Sequence, residues 1–291
     1  MARPDLHTTA IGGQAFTWGE RTYIMGVINM TPDSFSGDGL GDDVDAAVQR
    51  ALAMQADGAD MIDIGGESTR PPGAIYGAGG QPVPAAEEIR RVLPVIHRLA
   101  EVLQIPISID TYKAEVARVA IHAGASLIND VWGLQRDPTL ARVAAELGIP
   151  MVLTHNQAGY TYHDLLAEVV VGLQDAVATA VTAGVPAEHI IVDPGIGFGK
   201  QAEHNLEIVR HLDALKSALD YPMLLGTSHK SFIGLVLGDV PPQDRVEGTA
   251  ATVAVAIMKG VDMVRVHDVK QMVRVARMTD AIVRGWRRPS S

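Results

Sequence analysis

Thr22-Tyr23-Ile24-Met25-Gly26-Val27-Ile28-Asn29-Met30 is an almost unbroken apolar run. A helical pattern near residues 43–57 separates it from a second such run, Met61-Ile62-Asp63-Ile64-Gly65-Gly66. Runs of this length and composition read as strands buried on both faces, as in a parallel sheet covered by helices. The unit then repeats. Further strand candidates lie at 106–110, 127–131, 151–155, 190–195, 223–228 and 263–268, and helical patterns lie near 85–103, 112–123, 137–147, 161–183, 203–219, 246–259 and 269–285. Strict alternation of eight strands with eight helices predicts an α/β fold, a single (β/α)8 TIM-type barrel over residues 21–291 with residues 1–20 as an N-terminal lead-in. A doubly wound open sheet is the competing architecture.

Composition narrows the function. The 291 residues carry 24 Lys and Arg against 34 Asp and Glu, a formal net charge of −10. This argues against nucleic acid and acidic membrane surfaces as partners. The absence of cysteine excludes disulfides, thiolate nucleophiles and cysteine-based zinc sites, and fits a reducing, cytoplasmic setting. The polar N-terminus leads into no apolar run of signal length, and no stretch reads as long and pure enough to span a membrane. A chain that is 47% hydrophobic but only 4% aromatic builds its core from aliphatic residues and alanine.

Nearly every strand candidate ends in a polar residue: Asn29, Asp63, Asp110, Asn129, His155, Asp193, Ser228 and the pair Arg265 and His267. Parallel strands finish at one rim, so these side chains are expected to converge there, where barrels hold their sites. Any one of them could simply cap the next helix. Eight strands ending this way, with Asp110 and Asp193 inside apolar runs where an unpaired carboxylate is costly, make a site. Asp110, Asn129 and Asp193 suit a flat heterocycle with N–H donors and a lactam edge. Arg265 and His267 share one face of a strand, and with Lys230 they gather cationic donors suited to phosphate or pyrophosphate. Internal pairing of Arg265 with an acidic neighbour is the alternative reading.

Two polar loops, Met30 to Gly39 and Gly65 to Gly73, follow the first two strands and read as lids. Gly195-Ile196-Gly197-Phe198-Gly199-Lys200 lacks the spacing of a phosphate-binding loop. It reads as a turn where backbone approaches a ligand closely, with Phe198 as an apolar wall. Seven histidines, His7, His97, His122, His163, His189, His204 and His211, are assigned to surface or helix positions. No metal-binding or nucleophile-elbow motif is present. A Mg2+ ion held partly by an anionic substrate fits this residue set, with Asn29 as an oxygen ligand.

At these same residues the chain resembles the dihydropteroate synthase family. The matching segments are Met25 to Ser36, Gly65 to Pro71, Ser108-Ile109-Asp110-Thr111, Ile128-Asn129-Asp130-Val131, Asp193 to Lys200, Lys230 to Gly234 and Arg265 to Val269. They run in order from about residue 22 to 285, each at a strand end. The resemblance implies a pterin-binding barrel, usually a homodimer. It would be a transferase that joins 6-hydroxymethyl-7,8-dihydropterin diphosphate to p-aminobenzoate in folate biosynthesis, with Mg2+. On that reading Asp110, Asn129, Asp193 and Lys230 hold the pterin ring. Asn29, through Mg2+, with Arg265 and His267 holds the diphosphate, and Thr69, Arg70, Phe198, Ser228 and Ser231 line the aminobenzoate side. Asp110, Asp193 and Lys230 are the expected catalytic set.

The expected mechanism is dissociative: pyrophosphate leaves first, a carboxylate of Asp193 or Asp110 stabilises the pterin-methyl cation, and the aryl amine attacks. No protein nucleophile is required. Three departures stand out. Thr154-His155-Asn156-Gln157-Ala158-Gly159 replaces a histidine flanked by methionine and followed by Arg-Gly. Ser228-His229-Lys230 replaces Ser-Arg-Lys, and the second loop has an extra proline and a longer glycine-rich tail. A non-catalytic pterin-binding paralogue and a methyltetrahydrofolate-dependent corrinoid methyltransferase are the alternative readings.

Overall fold

The structure, a computed structural model, describes residues 7–31, 39–41, 43–68 and 80–286. Its first element is a hairpin, β1 (Thr8–Ile11) and β2 (Gln14–Thr17), in the segment expected only to lead in. The barrel strands follow: β3 (Tyr23–Asn29), β4 (Met61–Gly65), β5 (Ile107–Asp110), β6 (Leu127–Asp130), β7 (Met151–Thr154), β8 (Ile190–Asp193), β9 (Leu224–Leu225) and β10 (Met263–Val266). All eight pair in parallel, in the order β8-β7-β6-β5-β4-β3-β10-β9. The two ends meet where Val192 bridges Met223 and the Val192 N–H donates to the Pro222 carbonyl at 2.9 Å. This is the expected (β/α)8 TIM-type barrel.

The helices are α1 (Val44–Asp57), α2 (Ala85–Val102), α3 (Ala114–His122), α4 (Thr139–Leu147), α5 (Leu165–Thr182), α6 (Ala202–Arg210), α7 (Leu212–Leu219), α8 (Ser231–Val236), α9 (Val246–Met258) and α10 (Val269–Arg284). Local chemistry sets their ends. The Asp43 carboxylate accepts from the Ala46 N–H at 2.9 Å to start α1, and Gly58, with φ of 104°, ends it. Alanines on the buried faces, such as Ala47 and Ala51 of α1 and Ala117 and Ala120 of α3, keep helix and sheet close.

Three sequence expectations are corrected. The pattern at 203–219 is two helices, because the chain turns at His211 (φ −114°, ψ 23°) with neither glycine nor proline to mark the break. The pattern at 223–228 forms only a two-residue strand, and the short α8 that follows has no counterpart among the sequence patterns. Helix α5 is long and apolar enough to cross a membrane by length and composition, with a mean hydropathy of 1.5. In this fold it lies on the barrel, burying Val169, Leu173, Val177 and Ala180. Covering a sheet needs only one apolar face; α5 is apolar on its outer face too, where Val171 and Val181 are exposed.

The hairpin plugs the end of the barrel where the strands begin. Ile11, Phe16 and Trp18 join Met25, Met61, Leu127, Val152, Ile191, Leu224 and Met263 in one buried apolar cluster. Phe16 packs tilted and Trp18 edge-on against Tyr23, with ring centroids 4.7 and 5.4 Å away. This cluster fixes the inward register of every barrel strand but β5, whose Ser108 is aligned by pairing with Asp63 of β4. Residues two and four positions further along point into the opposite mouth.

Candidate active site

Strand pairing aligns Asn29 with Gly65, Gly65 with Asp110, and Asp110 with Asn129, so these residues form one row around the mouth. One layer deeper, Asp63 pairs with Ser108. Arg265 reaches across the opening. Its Nε donates to Asp63 Oδ2 at 2.6 Å and its Nη2 to Asp110 Oδ2 at 2.8 Å, while Asn129 Nδ2 donates to the same Asp63 oxygen at 2.9 Å. Asp63 is 0% exposed, and such a carboxylate is tolerable only when paired. The internal pairing weighed from sequence is therefore observed, and it joins the cation to the row of site residues. Burial pushes the Asp110 carboxyl up to about 8, against the pull of Arg265 and with help from nearby Asp63.

Across the mouth, Asp193 ends β8 and its Oδ1 accepts from the Gly195 N–H at 2.7 Å. Burial raises its pKa against the attraction of Lys230. Lys230 donates to the Ile196 carbonyl, and its ammonium lies 4.5 Å from the centre of the Phe198 ring. Burial pushes Lys230 down to about 8. Gly195 has φ of +74°, and a Cβ there would fall 1.8 Å from the His155 carbonyl oxygen, so only glycine lets the turn pass β7 this closely. Ser228 Oγ accepts from the His267 N–H at 3.1 Å and lies 2.9 Å from His267 Nδ1. Ser231 opens α8 immediately after Lys230. Thr69, Arg70 and most of the first loop lie outside the described residues.

His155 does not join the mouth. On β7 the inward residues are Val152 and Thr154, so residue 155 faces the other way. Its ring packs on Gly172 of α5, where an added Cβ would come within 2.8 Å of it. There it receives Lys200, whose ammonium donates to His155 Nδ1 at 2.9 Å, to the His155 carbonyl at 3.2 Å and to the Phe198 carbonyl at 3.0 Å. Three donors meet three acceptors. The second departure, His229, pairs through Nε2 with Asp268 and sets its ring edge-on to His267, centroids 5.3 Å apart.

Among the described residues no group of three or more His, Asp or Glu side chains could by itself hold a metal ion. Asn29 Oδ1 and Asp110 Oδ2 lie 3.5 and 3.6 Å from where a side chain on Gly65 would begin. One amide oxygen beside that gap suits a magnesium ion bringing most of its oxygen ligands on a phosphate compound. A cavity of about 610 Å3 has Tyr112, Trp132 and Phe198, the aromatic neighbour of Lys230, among its walls.

Residues 25–267 match the family described as pterin binding enzyme. The chain belongs to that family. It is 51% identical to the dihydropteroate synthase of Clostridium beijerinckii over 94% of this chain and 99% of that one. It is also 51% identical to the Bacillus subtilis dihydropteroate synthase over 92% and 91%. Among solved structures, Clostridium difficile dihydropteroate synthase in the presence of pteroic acid superposes with a TM-score of 0.85 at 49% identity, covering 92% of this chain and 98% of that one. The Xanthomonas albilineans enzyme in complex with 7,8-dihydropteroate gives 0.83 at 36% identity, covering 95% and 98%.

As a pterin-binding enzyme the chain carries site groups to which its sequence alone assigns no role. Asp63 is a polar strand end in the sequence, yet only the fold shows it as the shared partner of Arg265 and Asn129. Ser108 precedes Asp110 by two residues and Thr154 follows Val152 by two, so period-two counting from an inward neighbour was the signal that could have found both. Lys200 was visible only as the end of a glycine-rich turn, because its partner is 45 residues away.

Proposed function

We propose that this chain is a dihydropteroate synthase, a transferase that condenses 6-hydroxymethyl-7,8-dihydropterin diphosphate with p-aminobenzoate to give 7,8-dihydropteroate and pyrophosphate. The observation that carries this reading is one mouth holding Asn129, Asp193, Lys230 and Arg265 in a chain 51% identical, over nearly its whole length, to a dihydropteroate synthase. The pterin ring lies against Asp110, Asn129, Asp193 and Lys230, whose amide, carboxyl and ammonium groups match its donor and acceptor edge. Its diphosphate lies toward Asn29, Arg265 and His267. Asp63 and Asp110 hold the Arg265 side chain in place before substrate arrives, so little reorganisation is needed. Phe198, Ser228 and Ser231 line the aminobenzoate side; Thr69 and Arg70, also expected there, lie outside the described residues.

The bond between the pterin methylene carbon and the diphosphate oxygen breaks, and its electron pair leaves with the pyrophosphate. Arg265 and His267 stabilise that developing charge. The electron-rich pterin shares the positive charge left on carbon, with the Asp193 carboxylate beside it. The aryl amine adds to the methylene carbon and gives up one proton. Magnesium, when bound through Asn29, supplies further neutralisation of the diphosphate. We further propose a cytoplasmic homodimer, supported by the cysteine-free sequence and by exposed Val236, Met258, Met278 and Ile282 on the neighbouring helices α8, α9 and α10.

The test is to incubate the protein with the pterin diphosphate, Mg2+ and p-aminobenzoate and to follow pyrophosphate and dihydropteroate. Pyrophosphate release that depends on p-aminobenzoate is the expected result. Tight pterin binding with no product, or methyl transfer to a corrinoid from methyltetrahydrofolate, would replace this reading with one of the two alternatives.

A further inference from the structure

Thr154 pairs with Asp193 in the β7–β8 ladder, so the two side chains leave the sheet on the same inner face. Val152, two residues earlier, belongs to the cluster filling the barrel, and His155, one residue later, turns out to α5. The direction of Thr154 is thus set by strand register and by packing on both sides. The residue is 1% exposed, and its hydroxyl has no hydrogen-bond partner among the described residues. Ser108 Oγ and Asp63 Oδ1, also on inward positions, share that condition.

A buried hydroxyl without a partner is costly. Nothing in the strand calls for one, since valine has the same branched shape and an equal preference for the β conformation. The oxygen is useful at this place only if something enters the barrel to meet it. The neighbour across the ladder is Asp193, which the preceding reading sets against the pterin ring, and the inference rests on that reading.

We propose that Thr154 is a specificity-determining contact of the pterin site, its hydroxyl meeting the polar edge of the heterocycle beside Asp193. A purely apolar side chain at this place would offer only an apolar wall. A hydroxyl both donates and accepts, so it can serve a ring N–H or a ring nitrogen. A site that hydrogen-bonds its ligand discriminates more sharply against analogues lacking the matching group than an apolar wall does.

The experiment compares the full-length wild type with Thr154→Val and Thr154→Ser, in steady-state kinetics and thermal unfolding. Thr154→Val is expected to raise KM for the pterin diphosphate about tenfold, leave KM for p-aminobenzoate unchanged, and leave Tm equal or higher. Thr154→Ser is expected to restore the pterin KM to within about twofold of wild type. A wild-type pterin KM in Thr154→Val overturns the proposal, as does an equal rise in both KM values or a rise matched by a fall in Tm. If the wild type makes no dihydropteroate, the functional reading fails instead. Calorimetric binding of 6-hydroxymethyl-7,8-dihydropterin then decides the role of Thr154, and equal affinities for wild type and Thr154→Val overturn it.

Discussion

Asp193 and Lys200 show how differently two buried charges can behave a few residues apart. Asp193→Asn keeps the shape of the side chain and an oxygen to accept from the Gly195 N–H, so the fold should survive. Without the carboxylate, turnover should fall by about a thousandfold or more, measured as dihydropteroate formed per folded protein. Near-normal activity would remove Asp193 from the chemistry. Lys200, among the described residues, makes no ion pair. Burial pushes its pKa down to about 7, with Asp193 opposing and Lys230 reinforcing. In the unfolded chain a lysine keeps its proton to about 10.4. Between these values the unfolded state binds the proton that the folded state lacks, so the contribution of Lys200 to stability rises with pH across that window and is lost as pH falls toward 7. Urea unfolding at pH 6, 7.5 and 9 should show wild type gaining on Lys200→Met by up to about 1 kcal/mol per pH unit above pH 7. Parallel stability curves would contradict this account.

At the scale of elements, the barrel separates stability from function along its axis. The β1–β2 hairpin seals the end where strands begin, and the site occupies the end where they finish. Phe16, 2% exposed, is the largest hairpin side chain that is almost wholly buried in the plug. Phe16→Ala should cost about 3–5 kcal/mol and lower Tm by roughly 10 °C at a few degrees per kcal/mol. Below the melting range kcat and both KM values should stay at wild-type levels, and a changed KM would show that plug and mouth are coupled. Elements also show where periodicity misleads. An apolar stripe over 203–219 predicts one helix, yet α6 and α7 each bury a short stripe on the curved barrel wall and change direction at His211. His155 misled for the opposite reason: polarity marked it as a strand end, while a single step of register sent it to the outer face.

At the scale of the whole molecule, the −10 charge conceals two cations, Lys230 and Arg265, at one opening. The overall charge discourages polyanions, while the opening favours a small one. The apolar exposure on α8 to α10 is the other molecular-scale feature, and the occupant proposed for it is a second copy of this chain. Sedimentation equilibrium should return twice the 30.9 kDa chain mass. The double variant Met258→Glu and Ile282→Glu should sediment as a folded monomer, because burying two carboxylates in an apolar contact is prohibitive. A monomeric wild type would end the dimer proposal.

The sequence by itself determined the alternation of strand and helix, the eightfold repeat and the polar strand ends Asn29, Asp110, Asn129, Asp193, Arg265 and His267. Each is a property of a single segment: apolar runs must be buried, and period sets the element type. The tertiary structure alone decided which of those ends face inward, which carboxylates share Arg265, that Lys200 braces the Phe198 turn against His155, and that Thr154 and Ser108 present hydroxyls to the interior. These relations depend on strand register and barrel closure, which join residues 30 to 200 positions apart. No local pattern encodes such a distance; it is fixed only when the strands pair and the plug sets which residues point in.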